Sequence, residues 1–140
     1  MFFTHSTNSV DAKGRIILPQ AFRDKLGEVF YLANGFEDCI QVFTTETFEK
    51  RVKKITASLP AKKAYAVIRS LEAEEVKLNA QGRVTISANL RSKHNIKDEA
   101  VVLGMGDFIE IWDKTTYDKN QSDNKEDSDS ALLSLSFEIE

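Results

Sequence analysis

A single cysteine stands in these 140 residues, so no intramolecular disulfide can brace the chain, and a reducing compartment, the cytoplasm, fits. The two histidines, His5 and His94, have no neighbours at zinc-ligand spacing. The acids Glu72, Glu74 and Glu75 read most simply as a solvated helix end rather than a metal site. No apolar run approaches the roughly 20 residues that a membrane helix needs. The first residues, Met1 to His5, lack the basic region and apolar stretch of a signal peptide. Glycine is scarce, and Gly14, Gly82, Gly104 and Gly106 form neither a P-loop nor a dinucleotide fingerprint. No residues are spaced as a hydrolytic or redox site. The expectation is therefore a chain that is not an enzyme, with no cofactor, no metal, no small-molecule substrate and no membrane.

An excess of positive charge is missing too, since the net charge is −3. The charge is unevenly placed, however. Residues 120–140 hold six acids and one lysine, a net of −5, which leaves +2 for residues 1–119. An acidic tail hides a mildly basic body. Apolar residues make up 41% and charged residues 29%, which suits one globular unit of this length.

What the sequence has is a repeat. Asp11-Ala12-Lys13-Gly14-Arg15-Ile16-Ile17-Leu18-Pro19 through Arg23 returns as Asn79-Ala80-Gln81-Gly82-Arg83-Val84-Thr85-Ile86-Ser87 through Arg91, 68 positions on (79 minus 11). Ala12, Gly14, Arg15 and Arg23 meet identical residues, and Ile16, Leu18 and Phe22 meet Val84, Ile86 and Leu90. Cys39 to Phe43 then aligns with Phe108 to Trp112. Two copies are too few for a solenoid and point instead to a pseudo-two-fold pair that fold into each other. The organisation expected is repeat 1 over 1–50, a helical connection over 51–73, repeat 2 over 74–119 and a tail over 120–140.

Within each copy a strand precedes a tight turn, at Asp11–Gly14 and again at Asn79–Gly82. A second strand, a short helix and a hairpin of two strands follow. Thr44 or Thr45 caps the next helix, where Phe48, Val52, Ile55 and Leu59 share one face. Pro60 interrupts, and a further helix runs to about Glu72 with Ala64, Tyr65, Ile68 and Leu71 on one side. A helix begins at Thr115, and the polar stretch Gln121–Ser130 predicts disorder. Ala131 to Phe137 is apolar enough either to dock on the body or to pair with a partner, and the residues leave both open. Cys39, aligned with Phe108, reads as core packing.

The candidate site is the duplicated turn with its arginine: Lys13 and Arg15 in copy one, Gln81 and Arg83 in copy two. Asp11, Gly14, Asn79 and Gly82 support the turns. Arginine forks match phosphate and the O6/N7 edge of guanine, and glutamine suits adenine or phosphate. The competing reading makes Arg15 a brace for its own turn through Asp11, a part that Asn79 lacks the charge to play for Arg83. The residues alone do not choose. The second basic cluster, Lys50, Arg51, Lys53, Lys54, Lys62 and Lys63, reads as a solvated helical face.

The D-x-x-x-R pattern of Asp11–Arg15, its apolar-x-apolar-Pro continuation, the second copy and the strand Phe108–Asp113 with Thr115-Thr116 after it resemble the MraZ family over about residues 1–120. The resemblance implies an α+β fold of two tandem swapped-hairpin units of the AbrB/SpoVT type, forming a pseudo-two-fold β-barrel core with a helical hairpin between them. It implies a sequence-specific transcriptional regulator that is nucleoid-associated and forms a ring-shaped homo-oligomer. Its partner would be double-stranded DNA at promoter repeats upstream of the division and cell-wall gene cluster, its own promoter included. The family's DNA contacts fall on Asp11–Arg15 and, less fully, Asn79–Arg83. Asn79 replaces the acid and Ser87 the proline, which leaves the second arginine less firmly held, and the tail past Asp118 lies outside the resemblance. The alternative function is an oligomeric scaffold or antitoxin-like module acting through its tail.

Overall fold

A computed structural model describes residues 1–135. Ser136 and Phe137, part of the apolar stretch noted above, lie outside the described residues. Strands β1 (His5–Ser9), β2 (Arg15–Ile17), β3 (Val29–Asn34) and β4 (Ile40–Thr44) belong to the first copy, with helix α1 (Gln20–Leu26) between β2 and β3. Helices α2 (Thr45–Ser58) and α3 (Ala61–Leu71) connect the copies. The second copy holds β5 (Glu74–Lys77), β6 (Arg83–Thr85), α4 (Ala88–Lys93), β7 (Glu99–Gly104) and β8 (Ile109–Asp113). Helices α5 (Lys114–Asp123) and α6 (Lys125–Ser134) follow.

The strands interleave between copies. One antiparallel sheet has the order β1-β7-β8-β4-β3-β5, and β2 pairs with β6 in a separate ribbon. Exchanging each strand for its equivalent reverses the first order and leaves the second unchanged. The register keeps the same symmetry. Arg15 faces Thr85, Ile16 faces Val84 and Ile17 faces Arg83, so the ribbon maps onto itself about the Ile16–Val84 pair. Ile40 faces Ile111, Gln41 faces Glu110 and Val42 faces Ile109, so the large sheet does so about Gln41–Glu110. A pseudo-two-fold axis therefore relates the copies, passing through both pairs. The strands form two sheets among the described residues and do not close into the barrel that the resemblance implied.

Composition explains the strand positions. The central strands β4 and β8 are buried on both faces. The outer strands β1 (His-Ser-Thr-Asn-Ser) and β5 (Glu-Glu-Val-Lys) alternate between partial and full exposure, and polar residues suit a sheet edge. The core lies between the large sheet and the ribbon. Ile16 and Val84 from the ribbon, Phe22 and Leu90 from α1 and α4, and Phe30, Ile40, Val102 and Ile109 from the sheet form one cluster. On the sheet's other face, Trp112, Val101 and Cys39 pack together beneath Tyr117, which confirms Cys39 as core. Burial pushes its thiol up, and the Glu110 carboxylate adds to the effect.

Thr44 caps α2, accepting from the Thr47 amide at 3.1 Å. The stripe of α2 is only half covered: Phe48, Val52 and Ile55 are half-buried and Leu59 is exposed. On α3, Ala64 is buried and Ile68 and Leu71 are half-buried as expected, while Tyr65 is exposed and Val67 is half-buried in its stead. The tail also departs from expectation, because Gln121–Ser130 is helical rather than disordered. Asp113 caps α5 through the Thr116 amide; α5 closes with the Asn124 N to Asn120 O bond and α6 opens with Ser128 N to Asn124 O, so the two helices meet at Asn124. Lys114–Asp118 and Lys125–Asp129 pairs, at the i,i+4 spacing that supports a helix, lie along them.

Candidate nucleic-acid interface

Each turn is built around one side-chain oxygen. In the first, Asp11 Oδ1 accepts from the amides of Lys13 and Arg15, both at 2.9 Å. In the second, Asn79 Oδ1 accepts from the amides of Gln81 at 3.0 Å and Arg83 at 2.9 Å. Main-chain bonds close both loops in the same way: Gly14 N to Asp11 O at 2.9 Å and Gly82 N to Asn79 O at 3.0 Å. Gly14 and Gly82 have φ of 77° and 76°, a left-handed conformation that disfavours any residue with a Cβ. The reason for an acid or its amide at the head of the motif is thus a double amide acceptor, which asparagine serves as well as aspartate.

The second carboxylate oxygen separates the copies. Asp11 Oδ2 accepts from Arg15 Nε at 2.7 Å, with both side chains about a third exposed. Asn79 has no such oxygen, and Arg83 makes no side-chain bond among the described residues. The brace reading of Arg15 is therefore realised, but through Nε alone, and its terminal guanidinium nitrogens have no protein partner among the described residues. The Arg15 amide, then its guanidinium and the Lys13 amide, hold the Asp11 carboxyl at about 2, against partial desolvation.

The ribbon displays the candidates together. Ile16 and Val84 point into the core, so period two sends Arg15, Ile17, Arg83 and Thr85 to the outer face. Arg15 and Arg83 are diagonal neighbours there, roughly 7–8 Å apart between Cα atoms by sheet geometry. Lys13 and Gln81 are exposed on the adjoining turns.

Two further arginines, aligned in the repeat, prove to pack against the opposite copy's turn. Arg91 of α4 lies against Gly14 of the first turn, its Nε donating to Ile86 O at 2.9 Å. Arg23 of α1 lies against Gly82 of the second turn, its Nη2 donating to Gln20 Oε1 at 2.7 Å. Glycine is needed at 14 and 82 a second time, because an added Cβ would collide with these guanidinium groups. The loss of proline at 87 is also compensated. Ser87 Oγ accepts from the Leu90 amide at 3.2 Å and donates to Glu74 at 2.7 Å, so it caps α4 and ties it to β5. Of the acids first set aside as a helix end, Glu72 accepts from Lys93 and Asn89.

Comparison with known proteins agrees with this repeated architecture. A family model described as "MraZ protein, putative antitoxin-like" matches residues 1–70 and again 69–134. The second match takes in most of the tail that the sequence motifs had left out. The chain is 35% identical over 127 residues to the transcriptional regulator MraZ of Finegoldia magna, covering 89% of each chain. It is 38% identical over 130 residues to that of Corynebacterium jeikeium, covering 91% of each. For that of Alkaliphilus oremlandii the identity is 32% over 127 residues, 89% of each chain. With two matches that together span nearly its whole length, the chain belongs to the MraZ family.

Proposed function

We propose that this chain is a sequence-specific DNA-binding transcriptional regulator whose reading surface is the β2–β6 ribbon and its two turns. The observation that supports it is the pair of arginines on one exposed ribbon face, set at fixed separation by the two-fold. A two-stranded ribbon fits the major groove of B-DNA, where arginine meets guanine or phosphate. In this reading Arg15 and Arg83 contact base edges or phosphates, while Lys13 and Gln81 contact the backbone beside them. Asp11 and Asn79 shape the loops, and Gly14 and Gly82 let them pass beneath the crossing arginines. The interleaved strands correspond to two swapped-hairpin units.

The names of the relatives support the regulatory role, and the family resemblance suggests the target: repeated elements upstream of a division and cell-wall gene cluster, with the chain's own promoter among them. A mildly basic body needs help to hold DNA at physiological salt. A ring-shaped homo-oligomer supplies it, because several weak contacts engage at once on repeated sites.

Fluorescence anisotropy on a duplex from upstream of the chain's own gene tests the reading, with a scrambled duplex beside it. Wild type should prefer the former, and Arg15→Ala should lose that preference. Equal binding to both duplexes, or to neither, would refute it. Wild-type binding that disappears when residues 121–140 are deleted, with Arg15→Ala unaffected, would favour the antitoxin-like alternative acting through the tail.

A further inference from the structure

A groove of about 660 Å³ opens between α2, α3 and the β3–β4 turn. Ile55, Leu59, Val67 and Leu71 form its apolar floor, and Arg51 and Lys54 stand at its side. Arg51 is fixed in place, since its guanidinium lies 4.6 Å from the Phe43 ring centroid and 5.4 Å from that of Phe108. Around the groove, Thr45–Leu71 carries seven bases and two acids, a net of +5. Such a half-covered apolar stripe beside concentrated positive charge calls for an occupant that is both apolar and acidic.

The same chain carries that chemistry in its C-terminal helix. Residues 120–135 have a net charge of −3, and Leu132, Leu133 and Leu135 are 57%, 81% and 62% exposed. Pseudo-symmetry makes the contrast sharper. After β4 the chain forms α2 and turns back so that α3 packs on it, whereas after β8 α5 gives way to α6 at Asn124 and every residue from Gln121 to Leu135 is exposed. Helix α6, ten residues or roughly 15 Å long, thus leaves its leucines uncovered by their own body.

We propose that the α2–α3 groove takes the acidic, leucine-bearing C-terminal helix of a second copy of this chain. Leu132 and Leu133 lie on the apolar floor, and Glu126 and Asp129, on the same side of α6, face the Lys53 and Lys54 side. The lysine cluster is then a docking face and not merely a solvated one. The inference rests on the assembly part of the function proposed above and is independent of DNA binding.

Cysteine pairing tests it, because Cys39 is fully buried and leaves introduced thiols to react alone. Full-length Leu133→Cys and Leu59→Cys chains, mixed and oxidised, should give a covalent heterodimer. Leu133→Cys mixed with Asp107→Cys, on an exposed site of the other copy, should give several-fold less. Comparable yields from the two mixtures, or none from the first, would overturn the proposal. So would a double variant, Leu59→Cys with Leu133→Cys, that closes within one chain instead of between two. Sedimentation of Lys53→Glu/Lys54→Glu adds an independent arm: its assembly should weaken and recover when Glu126→Lys/Asp129→Lys is added. Wild type that assembles while every one of these variants assembles equally would defeat the groove alone. Wild type that stays monomeric at micromolar concentration would defeat the assembly reading with it.

Discussion

Replacing Gly14 with alanine adds one methyl group where the backbone conformation, the Arg91 side chain and a main-chain oxygen already meet. At φ 77° the new side chain costs about 1–2 kcal/mol against the following carbonyl. Its Cβ would sit 2.8 Å from Ile86 O and well inside van der Waals contact with the Arg91 guanidinium. Arg91 must leave, and with it the 2.9 Å bond from its Nε to Ile86 O, worth about 1–1.5 kcal/mol. The Ile86 oxygen cannot leave as easily, because the amide of its own residue donates to Gly14 O at 2.9 Å. A loss of roughly 3 kcal/mol follows, which lowers the melting temperature of a chain this size by roughly 10 °C. Gly82→Ala displaces only the Arg23 side chain and should cost less. Gly106→Ala has a similar φ of 85° and no neighbour closer than 3.8 Å, so it measures the backbone cost alone, about 1–2 kcal/mol. Urea unfolding or differential scanning calorimetry of the three variants should rank them Gly14, Gly82, Gly106 from most to least damaging. A Gly14→Ala chain no less stable than Gly106→Ala would refute the claim that the crossing arginine presses on the turn.

Asp11→Asn should keep the loop, since Asn79 already performs both amide bonds, and should release the Arg15 guanidinium. The Asp11 carboxyl is held down to about 2 from 3.8, so its contribution is present above the unfolded value and is lost as pH falls through about 2. Acid titration by circular dichroism should therefore show wild type losing more stability than Asp11→Asn between about pH 4 and 2. In operator binding, Arg15→Ala should cost roughly 1–3 kcal/mol per contacted base, while Lys13→Ala should weaken all sequences alike and flatten the salt dependence by about one unit. Arg83→Ala should hurt less than Arg15→Ala, because an unbraced side chain loses more rotamer freedom on binding; the reverse order would overturn that account. Trp112→Phe removes the donor that reaches buried Glu110 at 3.0 Å and should cost about 2–4 kcal/mol, read by chemical denaturation, with no change in DNA affinity.

The repeat, the strand sequence and the two turns were legible because they depend on local chemistry. A glycine after an amide-accepting side chain, then alternating apolar residues, marks a turn and a half-buried strand wherever it occurs. The interleaving was legible only in outline, since identity between copies says that they are alike and not which strand pairs with which. The crossing of Arg23 and Arg91 was visible as an alignment match, but its meaning needed the helices placed over the opposite turns. On α3 the face formed by Ala64, Ile68 and Leu71 was legible, but its edge was not, because Tyr65 and Val67 both fit the stripe and only the neighbour chosen decides between them. The tail defeated composition for a related reason. Serine, asparagine and aspartate lower helix propensity, yet a cap at Asp113 and spaced Lys–Asp pairs maintain a helix that propensity alone would not assign.

The departures of the second turn from the first are coupled, and their coupling bears on what the motif must retain. Losing the acid at 79 without any other change would have raised the turn's charge by one. Losing the lysine at 81 lowers it again. Asp11, Lys13 and Arg15 sum to +1, and Asn79, Gln81 and Arg83 also sum to +1. The three motif positions therefore carry the same net charge in both turns, and what differs between them is the short-range geometry. Phosphates respond to the former and base edges to the latter. A two-fold ribbon with equal charge but one braced and one unbraced arginine can hold the backbone symmetrically while reading its two half-contacts with different stringency. The residues common to both turns are those this division requires: an amide acceptor, a glycine beneath a crossing arginine, and one arginine on the ribbon's outer face.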